Sequence, residues 1–170
     1  MKVMMIFDQT QAGLGGKESP DLPMGGKAMG IGSCEMFTRF LDQQGGKVIA
    51  TLYCGDGTFL ADPELNAKKF AAMAKKFNPD VVICGPCFNY AIMAAKSAEV
   101  ISELTNIPAF AIMSQECEKA IETYKDKVTI LKMPKKGGIG LNESLSAMCE
   151  YAKMLVDKKD TAEFLEKHAY

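Results

Sequence analysis

Five short runs of apolar residues recur along the chain, separated by segments with helical periodicity. The runs are continuous rather than alternating, which is typical of strands covered on both faces of a sheet. They predict β-strands at Lys2–Phe7, Lys47–Tyr53, 80–83, 108–113 and 128–133.

The segments between these runs predict helices. Phe70, Met73, Ala74 and Phe77 fall at i, i+3, i+4 and i+7, and residues 90–104 are apolar nearly all round. Strand and helix therefore alternate, which favours an α/β fold: a doubly wound, mostly parallel five-stranded sheet of the flavodoxin-like type. We expect a single α/β domain over residues 1–156 and a C-terminal helical tail over residues 157–170.

Composition and charge argue against several classes of protein. The 170 residues carry a formal net charge of −1 without a basic stripe, so we expect no nucleic-acid partner. No apolar stretch approaches the roughly 20 residues that span a bilayer, so no membrane partner is expected either. The first residues lack a secretory pattern, which favours a cytoplasmic protein. Small doubly wound domains often pair, so a homo-oligomer is an option.

Residues 9–29 form an unusually long and glycine-rich connection after the first predicted strand. Long loops inside compact domains are usually functional or disordered, so the segment is either a substrate lid or a plain insertion. Neither a dinucleotide-binding nor a P-loop glycine pattern is present, so no nucleotide is expected.

The sharpest motif is Cys84-Gly85-Pro86-Cys87. We predict that Cys84 ends a strand and that Cys87 opens the next helix, where the helix dipole lowers a thiol pKa. In this hypothesis Cys84 is the attacking or first redox thiol and Cys87 the resolving thiol. Cys54 is then an auxiliary thiol and Asp56, just after it, the proton donor.

A second hypothesis makes the thiols metal ligands. The carboxyl ends of parallel strands meet at one edge, so several cysteines are expected to lie near each other. They would hold an iron–sulfur cluster or a zinc ion, with ligands drawn from Cys34, Cys54, Cys84, Cys87 and Cys117. In a third interpretation the cysteines are core residues, because free cysteine is among the most buried residue types.

Several blocks of the sequence together resemble the N-terminal half of the substrate-specific component B selenoprotein of glycine, sarcosine and betaine reductases. The blocks are KVMMIFDQTQAGLGGKE, VIATLYCGDGTF, PDVVICGPCFNYAIMAA and NIPAFAIMSQE, followed by VTILKM. The resemblance covers roughly residues 1–156.

The resemblance implies a reductase of anaerobic amino-acid metabolism that acts on a small molecule. A selenol or thiol attacks the activated substrate, a C–N bond breaks, and a disulfide is the eventual acceptor. It implies that a substrate pocket includes Gly15, Gly16, Cys54, Gly55, Asp56, Gly85, Pro86, Phe88, Asn89 and Glu116. Family members are more than twice as long, and their redox motif lies in the other half. The chain is therefore expected to be a thiol-dependent reductase or a non-catalytic partner subunit of a larger reductase complex.

Overall fold

Strands and helices alternate along the chain in the computed structural model, which describes residues 1–170. The strands are β1 (Lys2–Phe7), β2 (Gly25–Lys27), β3 (Lys47–Tyr53), β4 (Val81–Cys87), β5 (Ala109–Ser114) and β6 (Ile130–Met133). A 3-10 helix spans Gly32–Met36, and the α-helices are α1 (Thr38–Gln43), α2 (Asp56–Ala61), α3 (Pro63–Phe77), α4 (Ala91–Leu104), α5 (Glu118–Tyr124), α6 (Leu141–Val156) and α7 (Ala162–His168). None of these helices is both long and apolar enough to cross a bilayer.

The six strands form one sheet in the order β2-β3-β1-β4-β5-β6. All neighbouring pairs except β2–β3 are parallel, so the predicted doubly wound, flavodoxin-like α/β fold is confirmed. The sequence missed β2, which pairs antiparallel with β3 and places Gly25 opposite Tyr53. This strand lies within the long connection 9–29 and adds a sixth strand to the five predicted.

The continuous apolar runs reflect burial on both faces of the sheet. In β1, Met4 and Ile6 join the core under α3, α4 and α5, whereas Val3, Met5 and Phe7 join the core under α1 and α6. A strand between two helical layers has no solvent face, so alternation disappears from its sequence.

β4 runs further than the sequence indicates, and this corrects one prediction. Cys87 does not open a helix: it is the last residue of β4, and α4 begins only at Ala91. The strand continues through a cis Gly85–Pro86 peptide bond and a shift in its register with β5. Gly85 has φ +111°, and a Cβ there would collide with the Ile112 carbonyl oxygen of β5, so only glycine fits.

The C-terminal helical segment packs against the sheet and α6. The Phe164 ring of α7 stacks on Tyr151 at a centroid distance of 5.6 Å. Beyond α7, Ala169 forms an antiparallel bridge with Leu131 of β6, and Tyr170 donates its backbone N–H to the Ile130 carbonyl at 3.1 Å. The outer side of β6 is therefore covered by residues of this segment.

Candidate functional site

The candidate site lies where the carboxyl ends of β1 and β4 meet. After β1 the chain forms β2 and then β3, which pairs with β1 on one side, whereas β4 pairs with β1 on its other side. Connections that diverge in this way open a crevice between neighbouring strands, the usual ligand position in doubly wound sheets. Polar residues follow both strands here: Asp8 and Gln9 after β1, and Asn89 and Tyr90 after β4.

Asp8 is a buried carboxyl group whose two oxygens have different surroundings. The side chain is 3% exposed, and Oδ1 accepts hydrogen bonds from the backbone N–H groups of Thr10 (2.8 Å) and Gln11 (2.9 Å) and from the Thr10 hydroxyl. Oδ2 accepts none of these bonds. Burial raises the pKa of Asp8 above its ordinary value, although the three hydrogen bonds oppose the rise.

Gln9 is completely buried, and only one of its two polar side-chain atoms has a hydrogen-bond partner. Its Oε1 accepts a hydrogen bond from the backbone N–H of Asp56 at 3.1 Å, which fixes the amide group. Its Nε2 has no hydrogen-bond partner. Buried amide donors are rarely left unpaired, so this Nε2 offers a hydrogen bond to a ligand oxygen or to a water molecule.

Asp56 is the first residue of α2 and connects the crevice to the surface. Burial raises its pKa, and the negative charge of Asp8 raises it further. The preceding residue, Gly55, is held closely: its backbone N–H donates to Leu22 at 2.9 Å, and a Cβ would collide with the Pro20 carbonyl oxygen. The long connection therefore folds back over the Cys54-Gly55-Asp56 block.

A surface groove of about 540 Å³ begins at Asp56 and runs between α2 and the segments that follow β4 and β5. It brings together five of the residues predicted from the sequence, which are Asp56, Phe88, Asn89, Glu116 and Cys117. We call this the carboxyl-edge groove. Its further lining residues are Leu60, Tyr90, Ala91, Ile92, Glu118, Lys119 and Ala120.

Tyr90 is a groove residue that the sequence did not single out. It adopts a left-handed conformation with φ 52° directly before α4. Burial raises the pKa of its hydroxyl, and the charges of Asp8, Asp56 and Glu18 raise it further. The negative charges of these carboxyl groups therefore act on the Tyr90 hydroxyl and disfavour its ionisation.

Gly15, Gly16 and Gly85 do not line the groove. Gly15 and Gly16 lie in the connection after β1, where the Gly16 N–H donates to the Glu18 carboxylate at 2.9 Å. Gly85 lies inside the sheet against Ile112. The substrate contacts implied for these glycines stay predictions.

The predicted depression of the thiol pKa values is wrong. Cys54, Cys84 and Cys87 are at most 2% exposed, and Cys87 is a strand residue rather than the first residue of a helix. Burial raises the pKa of Cys54 to about 11 and lifts the pKa values of Cys84 and Cys87 far above the ordinary value. Cys117 retains partial access to solvent, but burial and then the Glu116 carboxylate raise its pKa to about 11. All four thiols are therefore protonated at neutral pH.

The five cysteines from which a four-thiolate metal site was predicted are not gathered around one point. Cys54, Cys84 and Cys87 belong to the core on one face of the sheet, whereas Cys34 belongs to the core on the other face, 3.9 Å from the Thr51 hydroxyl. No group of three or more His, Cys, Asp or Glu side chains is arranged to hold a metal ion. The chain's residues therefore do not fit a zinc ion or an iron–sulfur cluster at this edge.

Sequence reasoning did not identify Gln9 and assigned no role to Asp8. The available signal was positional: both residues follow β1 directly, at the point where the strand order reverses.

Comparison with known proteins agrees with the resemblance seen in the sequence. The profile of the family described as glycine/sarcosine/betaine reductase selenoprotein B matches residues 1–170. Component B subunit gamma of the glycine reductase complex of Carboxydothermus hydrogenoformans is 31% identical over 117 residues, which are 67% of this chain and 26% of that protein.

Two proteins of Peptoclostridium acidaminophilum are also similar. Glycine reductase complex component B subunit gamma is 28% identical over 91% of this chain and 35% of its own length. Sarcosine reductase complex component B subunit beta is 24% identical over 93% of this chain and 36% of its own length. The chain thus spans about a third of the length of the curated relatives it matches. No solved structure matches it.

Proposed function

The chain belongs to the glycine/sarcosine/betaine reductase selenoprotein B family, and we propose that it contributes the substrate-binding groove of a reductase complex of that kind. Its relatives are named as component B subunits of glycine and sarcosine reductase complexes. The ligand is a small amino-acid-type molecule with a cationic nitrogen and a carboxylate. The observation that carries this proposal is the pairing of Gln9 with Asp56 beside Asp8.

Asp56 and Tyr90 line the groove. Gln9 is joined to Asp56 by a hydrogen bond, so Gln9 and its neighbour Asp8 lie behind Asp56 and outside the groove lining. The carboxyl groups of Asp8 and Asp56 attract the cationic nitrogen, and the aromatic ring of Tyr90 adds a face that favours a cation. The unpaired Nε2 of Gln9 is completely buried, so it becomes a donor for a carboxylate oxygen only when the inner end of the groove opens to the ligand. A bound cation favours the ionised form of both carboxyl groups and therefore opposes the rise in pKa that burial causes.

Substrate binding, rather than thiol chemistry, is the contribution that the geometry supports. Nucleophilic attack requires an accessible thiolate, whereas Cys84 is completely buried and Cys87 is 2% exposed. Catalysis by Cys84, Cys87 and Cys54 with a disulfide acceptor stays a prediction. Cys117 is the thiol that lines the groove.

Calorimetric titration of the full chain with glycine, sarcosine and betaine tests the proposal. Acetate and methylamine are matched controls, because each carries only one of the two charges. We expect saturable binding of at least one amino-acid ligand, with the controls at least about tenfold weaker, since each loses a charge-assisted contact. Binding of acetate or methylamine at equal strength, or no saturable binding, contradicts the proposal.

A pair of variants locates the site. Asp56→Asn should weaken binding, because it removes the carboxylate at the mouth of the groove. Asp126→Asn, which changes an exposed aspartate in the connection between α5 and β6, should leave binding unchanged. Equal affinities of the two variants would place the ligand elsewhere.

A further inference from the structure

Exposed apolar side chains follow the carboxyl ends of three strands. Leu14 comes after β1, Leu60 lies in α2 after β3, and Ile139 comes after β6, with exposed fractions of 41%, 41% and 101%. The three strands are parallel, so these side chains lie along the same edge of the sheet as the carboxyl-edge groove. Leu104, at the end of α4, is 45% exposed and lies toward the opposite edge.

Ile139 is the most exposed large apolar residue of the chain. It sits in a connection with Gly137, Gly138 and Gly140, two of which have positive φ values of 74° and 97°. No atom lies within 4 Å of the position a Gly137 Cβ would take, so this loop stands away from the rest of the fold. Removing an apolar side chain from water is favourable, so another surface that covered Ile139 would be stabilised by this contact.

Leu60 is one of the lining residues of the groove. A surface that covered Leu60 would therefore also cover the groove beside Asp56. Closure would remove water from the groove, and electrostatic contacts with a charged ligand would strengthen.

The length of the relatives indicates which polypeptide would cover these exposed apolar residues. This chain corresponds to only 26% to 36% of three of them, so about two thirds of each relative is polypeptide that this fold does not contain. That polypeptide must pack against this unit for the two to act on one substrate. We propose that a polypeptide segment equivalent to the remaining part of the relatives docks on the carboxyl edge through Leu14, Leu60 and Ile139 and covers the groove. This inference rests on the proposed function of the groove.

Site-specific photo-cross-linking tests the docking surface. Ile139 is replaced by p-benzoylphenylalanine in the full chain, and Leu104 is replaced in the same way as the matched control at the opposite edge. Each protein is added to an anaerobic lysate of the source organism and irradiated, and the adducts are identified by peptide mass spectrometry. We expect position 139 to form adducts with polypeptide that resembles the relatives outside their matched part, and position 104 to form none.

Three results would overturn the proposal: adducts from position 139 only with a second copy of this chain, adducts only with unrelated proteins, or no adduct at all. Ile139→Asp combined with Leu14→Asp should weaken binding of the cross-linked partner at least tenfold, whereas Leu104→Asp should not. The double variant should still bind the amino-acid ligand in calorimetry. Loss of ligand binding by the free chain would thus count against the groove, and loss of adducts alone would count against the docking surface.

Discussion

The side-chain oxygen of Gln9 accepts a hydrogen bond from the backbone N–H of Asp56, which joins the end of β1 to the first turn of α2. The two residues are 47 positions apart in the sequence. This bond orients the Gln9 amide so that its oxygen has a hydrogen-bond partner and its buried nitrogen has none. The carboxyl edge therefore holds a donor in a defined position beside two carboxyl groups.

Gln9→Ala should weaken binding of the amino-acid ligand by about tenfold, because it removes a donor to the ligand carboxylate. The free energy of unfolding should fall by only about 1 kcal/mol, since the lost bond to Asp56 is partly offset by removal of an unpaired donor. Calorimetry and urea unfolding measure the two quantities. Gln43→Ala, in an exposed position of α1, is the control and should change neither. A large loss of stability without loss of binding would make Gln9 a structural residue.

Asp8→Asn should raise the free energy of unfolding near neutral pH, because the asparagine carries no charge into the buried position. Burial raises the pKa of Asp8 in the folded chain, whereas an unfolded chain titrates at the ordinary value of 3.8. As the pH rises above that value, the unfolded chain releases its proton first, so this group lowers stability until the pH passes its folded pKa. The advantage of the asparagine variant should therefore grow with pH through this window.

Urea unfolding of both proteins between about pH 4 and pH 8 measures this difference. Asp126→Asn is the matched control, and its difference from the unsubstituted chain should not vary in the same way. An advantage of Asp8→Asn that stayed constant or shrank as the pH rose would contradict the assigned direction of the shift.

Cys117 should be the first thiol to react with a disulfide reagent such as DTNB, because it alone retains partial access to solvent. A pKa of about 11 leaves little thiolate, so its rate near pH 8 should be roughly 100-fold below that of an unperturbed thiol. The rate should rise about tenfold for each pH unit. Cys117→Ser should leave only slow reactions that follow unfolding. Fast labelling of Cys84 or Cys87 in that variant would restore the thiol-attack hypothesis.

Gly85→Ala should lower the free energy of unfolding by about 2 kcal/mol or more, because the new Cβ meets both a positive φ and the Ile112 carbonyl. Gly137→Ala is a matched control: it also has a positive φ, 74°, but its Cβ enters open space. Gly137→Ala should lower the free energy of unfolding by only about 1 kcal/mol. Thermal or urea unfolding compares the two variants, and equal losses would show that contact with β5 is not the reason for glycine at position 85.

The strands of the parallel sheet could be predicted within a few residues, because burial on both faces leaves an unmistakable apolar run. β2 could not be predicted in this way: its Gly-Gly-Lys sequence has neither an apolar pattern nor the usual strand length. β4 was cut short for a related reason. Gly85-Pro86 is a typical strand terminator in sequence, and only its contact with β5 shows that the strand continues.

The groove was predicted in outline, whereas its chemistry was not. Asp56, Phe88, Asn89 and Glu116 follow strand ends, so topology alone brings them to one edge. The state of the thiols depends on packing instead. Cys34 faces the opposite core, and the burial of Cys84 reverses the pKa shift that a helix N-terminus would give. Neither effect can be inferred from the spacing of the cysteines along the sequence.

The pairing of Ala169 with Leu131 has a consequence for how copies of this protein can meet. β6 is four residues long and already engaged at its centre, and β2 at the far margin has only three residues. Two sheets that join edge to edge through backbone hydrogen bonds need a longer unpaired strand at the edge of each sheet. Lateral growth into ribbons or fibrils is thereby blocked at both margins, and assembly is directed toward helix faces and loops.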